Sequence, residues 1–116
     1  MELIKIRQEP IFVVKFSRKE LITLETCCQL SYDKKILSLR RKGGFVYGWF
    51  QKLDDTKDEQ LEVELTIRQL DSLLKATSDT LERCKKENLQ LDEFGLEVCP
   101  KLHEFLKEFL KEIKNG

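Results

Sequence analysis

Two stretches of this chain read alike: Val14-Lys15-Phe16-Ser17-Arg18-Lys19-Glu20-Leu21 and Val63-Glu64-Leu65-Thr66-Ile67-Arg68-Gln69-Leu70. In each, apolar residues alternate with charged ones until a hydroxyl residue, and Glu20 or Gln69 follows three positions later. Alternation puts every second side chain on one face, the pattern of a strand buried on one side. The hydroxyl can accept from free N–H groups of a following helix, and the residue three positions on can reach back to the cap's own N–H. The chain is therefore expected to hold two strand-cap-helix units, at 14–24 and 63–73. This constrains architecture and carries no chemistry.

The remaining pattern fills in around these units. Residues 2–7 and 11–16 both alternate and are joined by Gln8-Glu9-Pro10, too short for a parallel crossover, so an antiparallel pair is expected. A third strand covers 61–65. The first helix runs from about Arg18 to Ser31, with Leu21, Leu24 and Cys28 at helical spacing. A second starts after Thr66 and continues through Leu70, Leu73 and Leu74 toward Leu81 and Cys84, with a break expected near Thr77-Ser78. Residues 89–98 fit helix and strand equally. In the last helix Pro100 suits the first turn, and Leu102, Phe105, Leu106, Phe109, Leu110 and Ile113 form an apolar stripe wider than a coiled-coil seam. That width predicts core packing, with a homodimer through this helix as its other use. The expected fold is α+β, a single domain over 1–116 with a small, mostly antiparallel sheet and four or five helices.

Between the two units lies an inserted segment with its own character. Ile36, Leu39, Gly43, Val46, Phe50 and Leu53 recur at spacings of three and four, which predicts helix, glycine break, helix. Arg40, Arg41 and Lys42 would close the first helix and Gly43 would take the left-handed position after it. A hairpin across Lys42-Gly43-Gly44 is the competing reading, weakened by poor alternation and a turn that lacks Asn-Gly or Asp-Gly. Asp33 to Lys42 holds five basic residues and one acid, whereas Asp54 to Glu64 holds six acids and one lysine.

Overall charge balances, with 21 basic and 21 acidic residues, so no global field favours nucleic acid or an anionic membrane. The N-terminus alternates apolar and charged residues, unlike a signal peptide, and no apolar run is long enough to span a bilayer. A cytoplasmic protein with no membrane partner is expected. Neither GxxxxGK[ST] nor GxGxxG occurs, which leaves nucleotide hydrolysis unsupported.

Cys27 and Cys28 are adjacent while Cys84 and Cys99 stand apart, without a CxxC pair, and His103 is the sole histidine. Reduced thiols are expected, and no metal or other cofactor. The one candidate nucleophile is Cys99: with Pro100 as first helical residue it would sit at the N-cap, where the helix dipole favours thiolate, with His103 a turn further on. Nothing in that spacing brings the base within reach, so no catalytic residue is assigned and an enzyme is not expected.

The leading expectation is a small non-enzymatic regulator, adaptor or inhibitor that binds another protein through the inserted segment. Its contact residues would be Lys35, Arg40, Arg41, Lys42, Phe45, Tyr47, Trp49 and Phe50, because tryptophan and arginine dominate interface hot spots. The alternative is a nucleic-acid-binding module in which Arg40, Arg41 and Lys42 meet phosphate while Tyr47 and Trp49 stack on bases.

Overall fold

A computed structural model describes residues 11–57, 59–87 and 93–115. Both units form as read. Strand β1 (Phe12–Ser17) runs directly into helix α1 (Arg18–Leu30), and strand β2 (Gln60–Leu65) into helix α4 (Ile67–Lys86). Between them lie helix α2 (Lys34–Leu37), a 3-10 turn over Ser38–Arg40 and helix α3 (Phe45–Thr56). Helix α5 (Glu93–Asn115) closes the chain. The strand expected over 2–7 lies outside the described residues.

The two strands pair antiparallel, with Phe12 opposite Leu65, Val14 opposite Val63 and Ser17 opposite Gln60. Val14, Phe16, Val63 and Leu65 share the buried face, while Lys15 stands across from Glu62 on the open one. A two-stranded ribbon cannot cover its own apolar face, so helices must.

Both caps are complete boxes. Ser17 Oγ accepts from the Glu20 N–H at 3.1 Å while the Ser17 N–H donates to Glu20 Oε1 at 2.8 Å. Thr66 Oγ1 accepts from the Gln69 N–H at 3.2 Å and the Thr66 N–H donates to Gln69 Oε1 at 3.0 Å. The ribbon adds a further tie: the Arg18 N–H, the first donor of α1, reaches the Glu59 carbonyl at 2.8 Å. Because the strands are antiparallel, the two caps lie at opposite ends of the ribbon, about 20 Å apart.

Helices α1 and α4 pack on each other and α5 packs on both. The core joins the ribbon to Leu21, Leu24, Cys27 and Cys28 of α1, Leu70, Leu73 and Ala76 of α4, and Cys99, Leu102, Leu106 and Leu110 of α5. No described helix is long and apolar enough to cross a membrane.

Two boundaries depart from expectation. Helix α4 does not break at Thr77-Ser78. Thr77 and Thr80 are fully buried, and their hydroxyls donate to the Leu74 and Ala76 carbonyls, each at 2.9 Å, so they are satisfied within the helix. Helix α5 begins at Glu93, which puts Pro100 in its interior rather than its first turn. The proline leaves the Leu96 carbonyl without its helical donor, a local cost on the order of 3 kcal/mol. Burial of Cys99, Leu102 and Leu106 around it offsets that cost.

Ser17→Ala and Thr66→Ala should each lower stability by about 1 kcal/mol. The caps share no partner, so the double variant should lose close to the sum of the two in urea denaturation. A clearly non-additive double variant would mean that the two units are coupled more closely than the ribbon implies.

Candidate functional site

The inserted segment starts from a polar root on α4. Ser31, the C-cap of α1, donates its hydroxyl to Asp79 Oδ2 at 2.7 Å and accepts from the Asp33 N–H at 3.2 Å. Asp33 in turn caps α2, taking the Lys35 N–H at 2.9 Å. Arg83 donates to the Leu30 carbonyl at 3.0 Å and to Glu87 at 2.8 Å, with its guanidinium 5.3 Å from the Tyr32 ring centroid. The Tyr32 hydroxyl also donates to Glu87, at 2.7 Å. Arg83, and after it Tyr32, hold the Glu87 carboxyl below its ordinary range. Sequence reading passed over this network, because its members lie some 50 residues apart with only hydroxyl and charge types as signal.

Beyond α2 the chain tightens into the 3-10 turn, and the glycine break falls where it was read. Gly43 has φ +95°, the left-handed region, and the Gly44 N–H reaches the Arg41 carbonyl at 2.8 Å. A Cβ on Gly44 would run into the Leu39 carbonyl, so this close approach of two backbones requires glycine. The hairpin reading is excluded: α3 starts at Phe45.

The eight expected contact residues divide into two groups. Trp49 is 7% exposed and points into the core, its ring centroid 6.1 Å from Phe16 and 5.0 Å from Phe45. Phe45 and Phe50 are half-buried against the same core beside the buried Val46 and Leu53. Tyr47 is half-exposed, and its hydroxyl accepts from Gln51 at 3.0 Å. Arg40 is committed to Glu25, Nε to Oε1 at 2.7 Å. Lys35, Arg41 and Lys42 are exposed, as is Lys34, and none of the four forms an ion pair with a described residue. Phe45, Trp49 and Phe50 therefore anchor the segment, and Lys35, Arg41 and Lys42 rim the outside. The stacking platform required of Trp49 by the nucleic-acid reading is not on the surface.

The Cys99–His103 arrangement is likewise corrected. Cys99 is not at an N-cap but within α5, buried, and its Sγ lies 3.6 Å from Cys27 Sγ. His103 faces Thr77 instead, Nδ1 to Oγ1 at 2.8 Å. Thr77 has a single proton for the Leu74 carbonyl and His103 Nδ1, so the imidazole tautomer decides which of the pair donates. His103 borders an open cleft of about 330 Å³ shared with Asp71, Lys75 and Lys107. Burial, aided by Lys107 against the opposing Glu104, lowers its pKa.

No protein family, curated protein or solved structure gives a match to this chain. The residues alone carry the functional reading.

A depressed imidazole pKa means that folding favours neutral His103, so its contribution is complete above the ordinary value of 6.5 and is lost as pH falls through the lower folded value. His103→Gln should remove that component of the acid-side stability slope, read by urea denaturation between pH 7 and 5. An unchanged slope would show that His103 is not held neutral by the fold.

Proposed function

We propose that this protein is a non-enzymatic protein-binding regulator or adaptor whose inserted segment docks an acidic surface of its partner. Lys34, Lys35, Arg41 and Lys42 make the contact, and Phe45, Trp49 and Phe50 hold the segment on the core beneath them. The observation that carries this reading is the placement of charge about α3. Arg41 and Lys42 precede its N-terminus and Asp54 and Asp55 occupy its last turn, while Gly44 supplies no side-chain cap.

Each charge opposes the helix macrodipole, at roughly 0.3–1 kcal/mol apiece where exposed. The four-residue α2 offers too little dipole to offset this. Cations that cost the folded chain energy and have no ion-pair partner among the described residues are suited to an external anion. A partner carboxylate would neutralise them and meet the uncapped N–H groups of α3 as well.

Phosphate could supply the same charge, but binding to single strands also draws on exposed rings, and the ring of Trp49 is in the core. A homodimer through α5 has one supporting feature, Phe105, which is 47% exposed and edge-on to Phe109. Sedimentation at rising concentration reports on it.

The test is charge reversal at Arg41 and Lys42 together, with tagged wild-type and variant proteins used to capture partners from the same nuclease-treated lysate. The variant should be no less stable than wild type, with a melting temperature raised by a few degrees, since reversal turns two charges that oppose the α3 dipole into two that favour it. It should lose at least tenfold of a stoichiometric protein captured by wild type. Equal capture by both would remove the proposal, and capture by wild type from an untreated portion of the lysate but not from the treated one would contradict it in favour of nucleic acid.

A further inference from the structure

We infer that Cys27 and Cys99 form a redox-controlled pair, a modification site in which hydrogen peroxide converts two buried thiols into a disulfide joining α1 to α5. The sulfur atoms lie 3.6 Å apart although the residues are 72 positions apart in sequence. Both are essentially inaccessible, at 1% and 0% exposure, so they are held together by packing of the two helices rather than by chance of the surface. A disulfide needs about 2.05 Å, a closure of about 1.5 Å that rotation about the two Cα–Cβ bonds and a slight approach of the helices can supply.

The local chemistry distinguishes this pair from the other thiols. The two sulfurs share a hydrogen bond in which either can donate, so a thiolate formed at one is held by the proton of the other. Neighbouring Cys28 is held as a thiol, its pKa pushed up to about 12 mainly by burial. Cys84 is half-buried and has no sulfur partner among the described residues. One nucleophilic sulfur and one protonated sulfur in contact are what disulfide formation requires.

In the first step Cys27 Sγ attacks one peroxide oxygen. The O–O bond breaks, the departing hydroxide is protonated to water, and Cys27 becomes a sulfenic acid. In the second, Cys99 Sγ attacks the Cys27 sulfur, the S–S bond forms, and the S–O bond breaks. The leaving hydroxide takes the Cys99 proton as a second water. Each sulfur loses one electron overall and peroxide gains two.

Access to the pair requires a brief opening of α5. Pro100 follows Cys99 directly and leaves the Leu96 carbonyl without a helical donor, so brief opening of α5 at this turn breaks one backbone hydrogen bond fewer than in an unbroken helix. Hydrogen peroxide is little larger than water and needs only such an opening.

The experiment treats the reduced, folded full chain with hydrogen peroxide near neutral pH, stops it with catalase, and alkylates the remaining thiols in denaturant before peptide mass analysis. The expected product has two of its four thiols left, a Cys27–Cys99 cross-linked peptide and a mass lower by about 2 Da, all reversed by dithiothreitol. Its melting temperature should rise by about 5 °C or more, since the bond closes a long loop. Cys27→Ser and Cys99→Ser should each abolish the cross-link, and the wild-type peptide map decides the matter if either variant fails to fold. Four titratable thiols after treatment, a sulfinic acid at Cys27 without a cross-link, or cross-linking through Cys28 or Cys84 would each overturn the inference.

Discussion

The fold depends on the pairing of β1 with β2. Among the described residues neither strand has a neighbour in sequence to pair with by a tight turn, and their register sets the starts of two helices that the chain writes far apart at opposite ends of one ribbon. Once Val14 and Phe16 lie beside Val63 and Leu65, one face of the ribbon must be covered, and the capping boxes decide where the covering begins. Ser17 and Thr66 end their strands and turn the chain into helix within a single residue, so α1 and α4 have little freedom to start elsewhere. Helix α5 then fills the space that α1 and α4 leave.

This economy explains why a long insertion between the units is tolerated. It is fixed at both ends, by the Ser31–Asp79 and Arg83–Leu30 contacts at its root and by continuity of α3 into β2 through the left-handed Lys57. Between these points the segment needs only apolar anchors, and Val46, Trp49 and Leu53 supply them. Its exposed basic residues contribute nothing apparent to the fold and stand at the wrong end of α3 for its dipole. Stability alone would favour the opposite arrangement, and for that reason function is sought there.

Local signals were legible and long-range ones were not. The capping boxes, the strand alternation at 11–16 and 61–65 and the glycine break each depend on residues within four positions, and each reads through to the structure. The error at Pro100 has the opposite origin: a proline suits the first turn of a helix by local preference, but burial of Cys99 and Leu102 on α1 and α4 carries the helix back past it. Trp49 illustrates a second limit. Composition marked it as an interface residue, yet helical periodicity cannot say whether a stripe's apolar face turns to the core or to a partner, and Phe16 decided that from a distant strand. The sulfur pair is the extreme case, since no spacing rule connects positions 27 and 99 until α1 and α5 have packed.

The most direct test of the claim that the insertion's basic rim is the working surface is lysine footprinting. The protein is acylated at limiting reagent, free and in the complex captured by wild type, and the sites are compared by mass. Lys34, Lys35 and Lys42 should lose most of their reactivity in the complex while Lys101, Lys107 and Lys111 on α5 keep theirs. Protection confined to α5, with Lys34, Lys35 and Lys42 as reactive as in the free protein, would contradict the account and move the contact to the terminal helix.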